Sequence, residues 1–254
     1  MHYAIITGDS RGLGEAIAKQ FIGKNVNIVG ISRTHNKSLE KAAQDSKVDY
    51  THFSCDLSQT ESVANCLDEV ASHVFHEETH YVYLVNNAGV IDPIDTVGNL
   101  NVDELQNHLQ INLAVPMQFF NRILKEANAA DISTMLINIT SGAAERSVHG
   151  WSVYSSAKAA INRFTETAAL EQEQEENNHI IFAFSPGVVD TDMQGRIRAS
   201  SEDEFADVSK FKQLKEEGKL RAPETVAAVL MDLLNNPKTI ESGKVYKLYD
   251  LIEE

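Results

Sequence analysis

The sequence has few cysteines and no spacing typical of a metal or disulfide site. Only Cys55 and Cys66 are present among 254 residues, eleven positions apart. Two such cysteines fit neither a disulfide framework, a zinc knuckle nor a Cys-x-x-Cys redox pair, so we expect free thiols in a reducing compartment. The nine histidines show no ligand spacing either, so we expect no metal site.

Long apolar runs and an excess of basic residues are also missing. No stretch of about 18 apolar residues occurs, which predicts no membrane-spanning helix. The first residues lack the basic region of a signal peptide, so we expect a cytoplasmic protein. Asp and Glu outnumber Lys and Arg by 37 to 22, giving a net charge of −15. Because nucleic acids and anionic membranes attract basic proteins, we expect neither as a partner.

Short strand-like runs alternate with longer helical stretches along the whole chain, without a repeat or a linker. The strand-like runs are 3–7, 26–32, 50–54, 81–86, 134–140, 180–185 and 244–248. The helical stretches are 12–22, 58–75, 102–127, 152–175 and 223–234. This alternation predicts βαβ units, and strands that are apolar on both faces predict a parallel sheet covered on both sides. We expect one α/β domain over residues 1–254, a three-layer, doubly wound Rossmann fold of about seven strands.

One long segment does not fit this alternation. From about 193 to 222 the chain is polar and mixed in charge, with a helix-like patch at 204–216. A long excursion inside a compact domain is usually a lid or binding loop. We therefore expect it to cover a substrate; a peripheral, solvated pair of helices is the alternative.

A glycine-rich turn separates the first predicted strand from the first predicted helix. It reads Thr7-Gly8-Asp9-Ser10-Arg11-Gly12-Leu13-Gly14. Glycines allow the backbone to turn tightly and to approach a pyrophosphate, and the free N–H groups of the following helix favour phosphates. The turn predicts a dinucleotide site, and a purely structural turn is the alternative.

The end of the second predicted strand indicates which dinucleotide is bound. NAD-binding folds carry Asp or Glu there, on the ribose 2′-hydroxyl. Here Ser32 is followed by Arg33, and Arg11 in the glycine turn is a second cation. A guanidinium can bind a 2′-phosphate that a carboxylate would repel, which favours NADPH over NADH. The alternative is that Arg33 is a surface arginine without a ligand.

Tyr154 and Lys158 form the strongest catalytic signal. They stand four residues apart in a predicted helix and therefore share a face. A neighbouring cation lowers the pKa of a tyrosine, so the sequence predicts a phenol that exchanges a proton with a carbonyl oxygen. Ser141 stands thirteen residues before Tyr154, at the end of an apolar strand, with Thr140 as a competing hydroxyl.

Together these motifs resemble the short-chain dehydrogenase/reductase family over about residues 2–250. The resemblance rests on Gly-x-x-x-Gly-x-Gly at 8–14, Asn-Asn-Ala-Gly at 86–89 and the Tyr-x-x-x-Lys pair with its upstream serine. Pro-Gly-Val-Val-Asp-Thr at 186–191 and Lys-Glu-Glu-Gly-Lys-Leu at 215–220 resemble carbonyl reductases of the benzil reductase and sepiapterin reductase branches. Thr140 departs from the pattern, since such relatives often carry serine there.

The resemblance implies the catalytic set Asn112, Ser141, Tyr154 and Lys158. The serine would hold the substrate carbonyl and the tyrosine would donate the proton. The lysine would lower the tyrosine's pKa, and the asparagine would bend its helix and hold a water; a packing amide is the alternative for Asn112. The expected NADPH site is Gly8, Ser10, Arg11, Gly12, Leu13, Gly14, Ser32, Arg33, Asp56, Leu57, Asn87, Ala88, Gly89, Tyr154, Lys158, Pro186, Gly187, Val189 and Thr191.

The expected reaction is reduction of a small carbonyl compound, an α-diketone or aromatic ketone, to a chiral alcohol. We expect substrate contacts at Ser141, Trp151 and Met193; Trp151 either forms an aromatic wall or packs its loop onto the core. A 3-oxoacyl, sugar-alcohol or pterin substrate is the second interpretation, and an NADPH-sensing regulator is the third. The resemblance also implies a homodimer or homotetramer formed through the two long helices.

Overall fold

A seven-stranded parallel sheet forms the centre of the protein. The computed structural model describes residues 1–175 and 178–252. The strands are β1 His2–Thr7, β2 Asn27–Ser32, β3 Tyr50–Ser54, β4 Tyr81–Asn86, β5 Ser133–Ile139, β6 His179–Ser185 and β7 Val245–Lys247. They lie in the order β3-β2-β1-β4-β5-β6-β7. The predicted doubly wound fold is confirmed, and every predicted strand agrees with the structure to within one residue at each end.

Helices cover both faces of this sheet. They are α1 Gly12–Ile22, α2 Lys37–Ser46, α3 Thr60–Val74, α4 Val102–Leu109, α5 Val115–Ala130, α6 Ser152–Gln174, α7 Asp192–Arg198, α8 Val208–Glu216, α9 Pro223–Leu234 and α10 Leu248–Leu251. Successive residues of a strand face opposite sides, so Ala4 and Ile6 pack beneath α1, α2 and α9. Tyr3 and Ile5 pack beneath α3, α5 and α6, which completes the three layers.

Helix α2 is not predicted by the sequence pattern. Most of its residues are polar, and only Leu39 and Ala43 are buried. It begins at Asn36, whose side chain accepts hydrogen bonds from the backbone N–H groups of Ser38 and Leu39. Such a cap satisfies donors that the first helical turn leaves without partners.

The single helix predicted over 102–127 is two helices joined by a π turn, Gln110–Ala114. The N–H of Val115 bonds to the carbonyl of Gln110, five residues earlier, which widens the helix locally. Pro116 lies in the first turn of α5, where its missing N–H is tolerated. The prediction of one continuous helix is therefore wrong, and Asn112 lies in the middle of the turn that interrupts it.

The strand order reverses between β1 and β4. In a doubly wound sheet the connections leave this point in opposite directions, and a crevice opens at the carboxyl ends of the strands. Across residues 1–175 and 178–252, no helix has the length and apolar character that crossing a bilayer requires.

Candidate active site

The glycine-rich turn lines the crevice between β1 and α1. Gly8 and Gly12 have φ angles of +73° and +60°, a region that favours glycine. A Cβ at Gly14 would lie 2.1 Å from the carbonyl oxygen of Gly8. The turn is therefore a bare backbone cradle that opens onto the N-terminus of an 11-residue helix. Ser10 is half-buried beside it, and the Leu13 side chain belongs to the core.

Asn87 joins this cradle to the end of β4. Its side-chain amide donates to the carbonyls of Thr7 (3.0 Å) and Gly8 (3.2 Å). The Thr7 hydroxyl in turn accepts from the backbone N–H groups of Asn87 and Ala88, each at 3.0 Å. The neighbouring Gly89 must stay small, because a Cβ there would lie 2.8 Å from the Asn112 side-chain oxygen. The Asn-Asn-Ala-Gly segment thus forms a second, rigid side of the cradle.

The ends of β2 and β3 carry polar groups at the far end of the cradle. Ser32 is buried and donates to the Thr34 carbonyl at 3.0 Å, while Arg33 is exposed. The pKa of Asp56 is lowered, chiefly by hydrogen bonds from the N–H and hydroxyl of Ser58 and in part by the charge of Arg33. Arg33 and Asp56 therefore lie near each other, with Leu57 buried behind them.

Arg11, the second predicted phosphate cation, already has an ionic partner. Its Nε lies 3.1 Å from a carboxylate oxygen of Asp192, and both side chains are more than two-thirds exposed. A pair in such contact with water is weak, so a bound anion can compete for the guanidinium. The contact links the glycine turn to the first residue of α7.

The segment after β6 closes the opposite side of the crevice. Gly187 has a φ of +69°, and a Cβ there would lie 2.8 Å from the Tyr249 ring. Val189, buried, forms an isolated parallel bridge with Arg221. A Cβ on Gly12 would lie 3.3 Å from the Thr191 methyl group. Thr191 therefore faces the glycine turn directly, at the end of the segment that begins with Pro186.

Tyr154 and Lys158 lie on the buried face of α6. They are 7% and 6% exposed, and the Lys158 ammonium is 5.8 Å from the centre of the Tyr154 ring. Lys158 also donates to the carbonyl of Ile139 at 2.8 Å, which ties α6 to the end of β5. Ser141, just beyond β5, interacts with the Tyr154 hydroxyl, whereas the Thr140 hydroxyl is buried and has no partner among the described residues.

Burial dominates the protonation of this pair. It raises the pKa of Tyr154, and the interaction with Ser141 opposes that rise only in part. Burial also lowers the pKa of Lys158 to about 8. The net pKa of Tyr154 is therefore raised by desolvation of the phenol, and the expectation that the charge of Lys158 favours the phenolate stays a prediction.

Asn112 uses every hydrogen of its side-chain amide. The amide donates to the Val90 carbonyl and to Nε2 of His108, both at 2.7 Å, and its oxygen accepts from the Val90 N–H at 3.0 Å. The π turn directs this side chain into the crevice, next to Gly89. Sequence reasoning identified Asn112 but missed His108, although the histidine precedes it by one helical turn.

An aromatic cluster joins the 192–221 segment to the candidate active site. Trp151 stacks on Phe205 with ring centres 4.8 Å apart and an interplanar angle of 8°. It also contacts Tyr154 and Phe211, with ring centres 5.5 Å away in both cases. Met193 packs against the same cluster. Trp151 is only 5% exposed, so it packs its loop onto this cluster, and its contact with a substrate stays a prediction.

Phe205 and Phe211 are not predicted from the sequence. They are the only aromatic residues between 193 and 222, and that isolation is the signal that marks them. Within the described part of the chain, no group of three or more His, Cys, Asp or Glu side chains could hold a metal ion.

The chain is similar to known proteins over most of its length. The family model for short chain dehydrogenase matches residues 2–202. Benzil reductase ((S)-benzoin forming) of Bacillus subtilis (strain 168) is 36% identical over 252 residues, 99% of this chain and 100% of that protein. The Bacillus cereus protein of the same name is 35% identical over 248 residues, 98% and 99% of the two chains. The crystal structure of the KRED1-Pglu enzyme matches with a TM-score of 0.80 at 28% identity, covering 96% of this chain and 100% of that one.

Proposed function

Because this chain belongs to the short-chain dehydrogenase/reductase family of oxidoreductases, we propose that it is an NADPH-dependent reductase of carbonyl compounds. The observation that carries the proposal is the buried pair of Tyr154 and Lys158, with Ser141 beside the phenol. Gly89 is part of the cradle, and a Cβ on it would lie 3.9 Å from the Lys158 ammonium. The cradle and the pair of Tyr154 and Lys158 therefore line the same crevice.

The glycine turn fits a dinucleotide. Its bare backbone and the free N–H groups of α1 suit a pyrophosphate, and Thr191 lies directly across from Gly12. Asp56 would hold the adenine, while Val189 and Thr191 would hold the nicotinamide carboxamide. A reduced nicotinamide held there supplies the hydride that the carbonyl carbon accepts.

The side chains of this protein then divide the remaining work. Ser141 donates a hydrogen bond to the substrate carbonyl and orients it. Tyr154 gives its proton to that oxygen as the carbon accepts the hydride, so the C=O group becomes an alcohol. The raised pKa of Tyr154 suits this role, because it keeps the phenol protonated. Lys158, with its pKa near 8, stabilises the phenolate that remains.

NADPH is the proposed cofactor because the end of β2 carries Ser32 and Arg33 rather than a carboxylate. Arg33 is exposed and Arg11 is held only by a solvated pair, so both guanidinium groups are accessible to a 2′-phosphate. Arg33→Ala should raise the Michaelis constant for NADPH and leave that for NADH unchanged. An unchanged value for NADPH contradicts this assignment.

Aromatic α-diketones such as benzil are the proposed substrate class. The relatives named above are benzil reductases, and the buried cluster of Trp151, Phe205 and Phe211 packs next to Tyr154, where it supports the side of the crevice that an aromatic substrate would contact. We assign the 193–222 segment, which carries two of these rings, as the substrate lid of a single domain over 1–254.

The experiment that tests the function is NADPH oxidation by the purified protein with benzil, other diketones, sepiapterin and simple ketones, with NADH in parallel. Turnover of benzil with NADPH and little with NADH supports the proposal. Tight NADPH binding without turnover of any carbonyl favours a sensor instead.

We also infer a homodimer or homotetramer formed through α4, α5 and α6. Apolar side chains are exposed on two of these helices: Val102 is 64%, Leu109 37% and Leu170 55% exposed. Burying them between subunits would remove them from water. Light scattering should give a multiple of 28.1 kDa, and a monomeric mass contradicts the inference.

A further inference from the structure

His108 is a buried titratable residue whose role is not explained by the proposed reaction. It lies in the last turn of α4 and is 0% exposed. Its Nδ1 is 2.7 Å from the carbonyl oxygen of Asp92, and its Nε2 is 2.7 Å from the Asn112 amide nitrogen. Its ring also meets the Tyr154 ring edge-on, with centres 5.9 Å apart and an interplanar angle of 90°.

These partners permit only one protonation state of the ring. A backbone carbonyl only accepts, so Nδ1 must carry the hydrogen that bonds to Asp92. Nε2 is then bare and accepts a hydrogen from Asn112. Burial and the charge of Lys158 lower the pKa of His108, while the backbone hydrogen bond to Asp92 opposes this. The geometry therefore requires a neutral histidine.

The Asn112 amide cannot compensate for a change in His108. Flipping it would set its oxygen against the Val90 carbonyl and its nitrogen against the Val90 N–H. A protonated His108 would likewise point an N–H at the amide nitrogen of Asn112. Either change loosens the Asn112 side chain, which lies beside Gly89.

We propose that His108 is a positioning residue for the reaction: it holds Asn112 by a hydrogen bond and packs edge-on against the Tyr154 ring. This inference rests on the proposed reductase function. The groups facing the imidazole are Tyr154 and Lys158 on α6 and Asp92 in the loop before α4, whose carboxylate pairs with Arg196 of α7 at 2.8 Å. Protonation of His108 would break the bond to Asn112, because both ring nitrogens would then carry hydrogen.

The test compares His108→Leu with His108→Gln. Leucine removes both hydrogen bonds, and we expect kcat to fall about 10- to 100-fold, the scale of loss that misplaced catalytic groups produce. Glutamine keeps an acceptor for Asn112 but cannot be protonated. We expect the unmodified protein to lose activity at acid pH as His108 protonates, and we expect His108→Gln to recover much of kcat without that decline.

His179 provides the matched control, because both of its ring nitrogens also make hydrogen bonds. It contacts Thr134 (2.9 Å) and Asn128 (2.7 Å), at the opposite end of the strands. His179→Leu should lower the melting temperature without changing the pH profile of kcat. The positioning role is overturned if both His108 variants keep the kcat and the pH profile of the unmodified protein. It is also overturned if both variants lose kcat equally while the shape of the pH profile stays the same.

A spectroscopic measurement separates this inference from the proposed function. The ¹⁵N signals of the His108 imidazole need no turnover, and at pH 7 we expect the neutral form with hydrogen on Nδ1. Asn112→Ala should shift the Nε2 signal. A charged ring, or hydrogen on Nε2, overturns the inference even if the protein reduces carbonyls. An inactive protein with the expected signals contradicts the proposed reaction alone.

Discussion

The crevice has two walls that are built differently: the proposed cofactor wall, formed by residues 8–14 and 86–89, and the proposed substrate wall, formed by Trp151, Phe205 and Phe211. On the cofactor wall the backbone itself sets the shape, since a Cβ on Gly14 would lie 2.1 Å from the carbonyl of Gly8. On the substrate wall side chains set the shape, as where Phe205 stacks on Trp151. The first wall tolerates almost no change, whereas the second can be altered one side chain at a time. Because the two walls are independent in this way, one scaffold can keep its cofactor while its substrate changes.

The largest effect is expected at Tyr154, where the two walls meet. Tyr154→Phe removes the proposed proton donor, and turnover should fall by about 10²- to 10⁴-fold, the usual contribution of general acid catalysis. NADPH binding, followed by fluorescence, should persist. Tyr81→Phe alters a half-buried tyrosine at the start of β4 and should leave turnover unchanged. Normal turnover by Tyr154→Phe would refute the mechanism.

A smaller and more selective effect is expected on the substrate wall. Phe205 is completely buried, so Phe205→Ala should destabilise its segment by about 3–5 kcal/mol. The Michaelis constant for benzil should rise, and the dissociation constant for NADPH should stay the same. Phe120 is equally buried, beneath the sheet. Phe120→Ala should therefore lower the melting temperature without a selective rise in the Michaelis constant for benzil. Equal loss of both affinities in Phe205→Ala would show that the walls are not independent.

On the cofactor wall a single methyl group should be enough to produce an effect. Gly14→Ala forces a Cβ against backbone, and we expect a loss of about 1–3 kcal/mol in stability with weaker NADPH binding. Gly195 lies in α7, where an added Cβ would meet no neighbouring atom within 4 Å. Gly195→Ala should therefore gain up to about 1 kcal/mol from helix propensity. If Gly14→Ala binds NADPH normally, the rigid cradle is not required.

The mildest effect is a pH dependence set by Lys158. Its lowered pKa, about 8, means that activity should fall as the pH rises through that value and the ammonium loses its charge. Because folding lowers the pKa of Lys158, the contribution of this residue to the free energy of unfolding is complete above its ordinary pKa of 10.5, where the side chain is neutral in both states. This contribution is lost as the pH falls toward about 8, because the buried side chain then carries a charge. Lys158→Arg, which stays charged, should move the alkaline decline of kcat upward. A flat profile for the unmodified protein up to pH 10 contradicts this.

The same contrast explains what the sequence could predict. The strands and the glycine turn depend on local patterns, so the spacing of Gly8, Gly12 and Gly14 sufficed to place the cradle. Phe205 lies more than fifty residues from Trp151 along the chain, and no local pattern indicates that their rings stack. The π turn around Asn112 has an apolar spacing that resembles that of an ordinary helix, so only the family resemblance indicated a bend there.

The proton and hydride chemistry assigned to this crevice can be tested directly by isotope transfer. The protein would be incubated with benzil and NADPH that carries deuterium at both nicotinamide C4 positions, and the product analysed by mass spectrometry. We expect one deuterium on the carbinol carbon of benzoin, and labelled product formed about 10²- to 10⁴-fold more slowly by Tyr154→Phe. Benzoin without deuterium, or labelled product formed at an equal rate by Tyr154→Phe, would contradict the account.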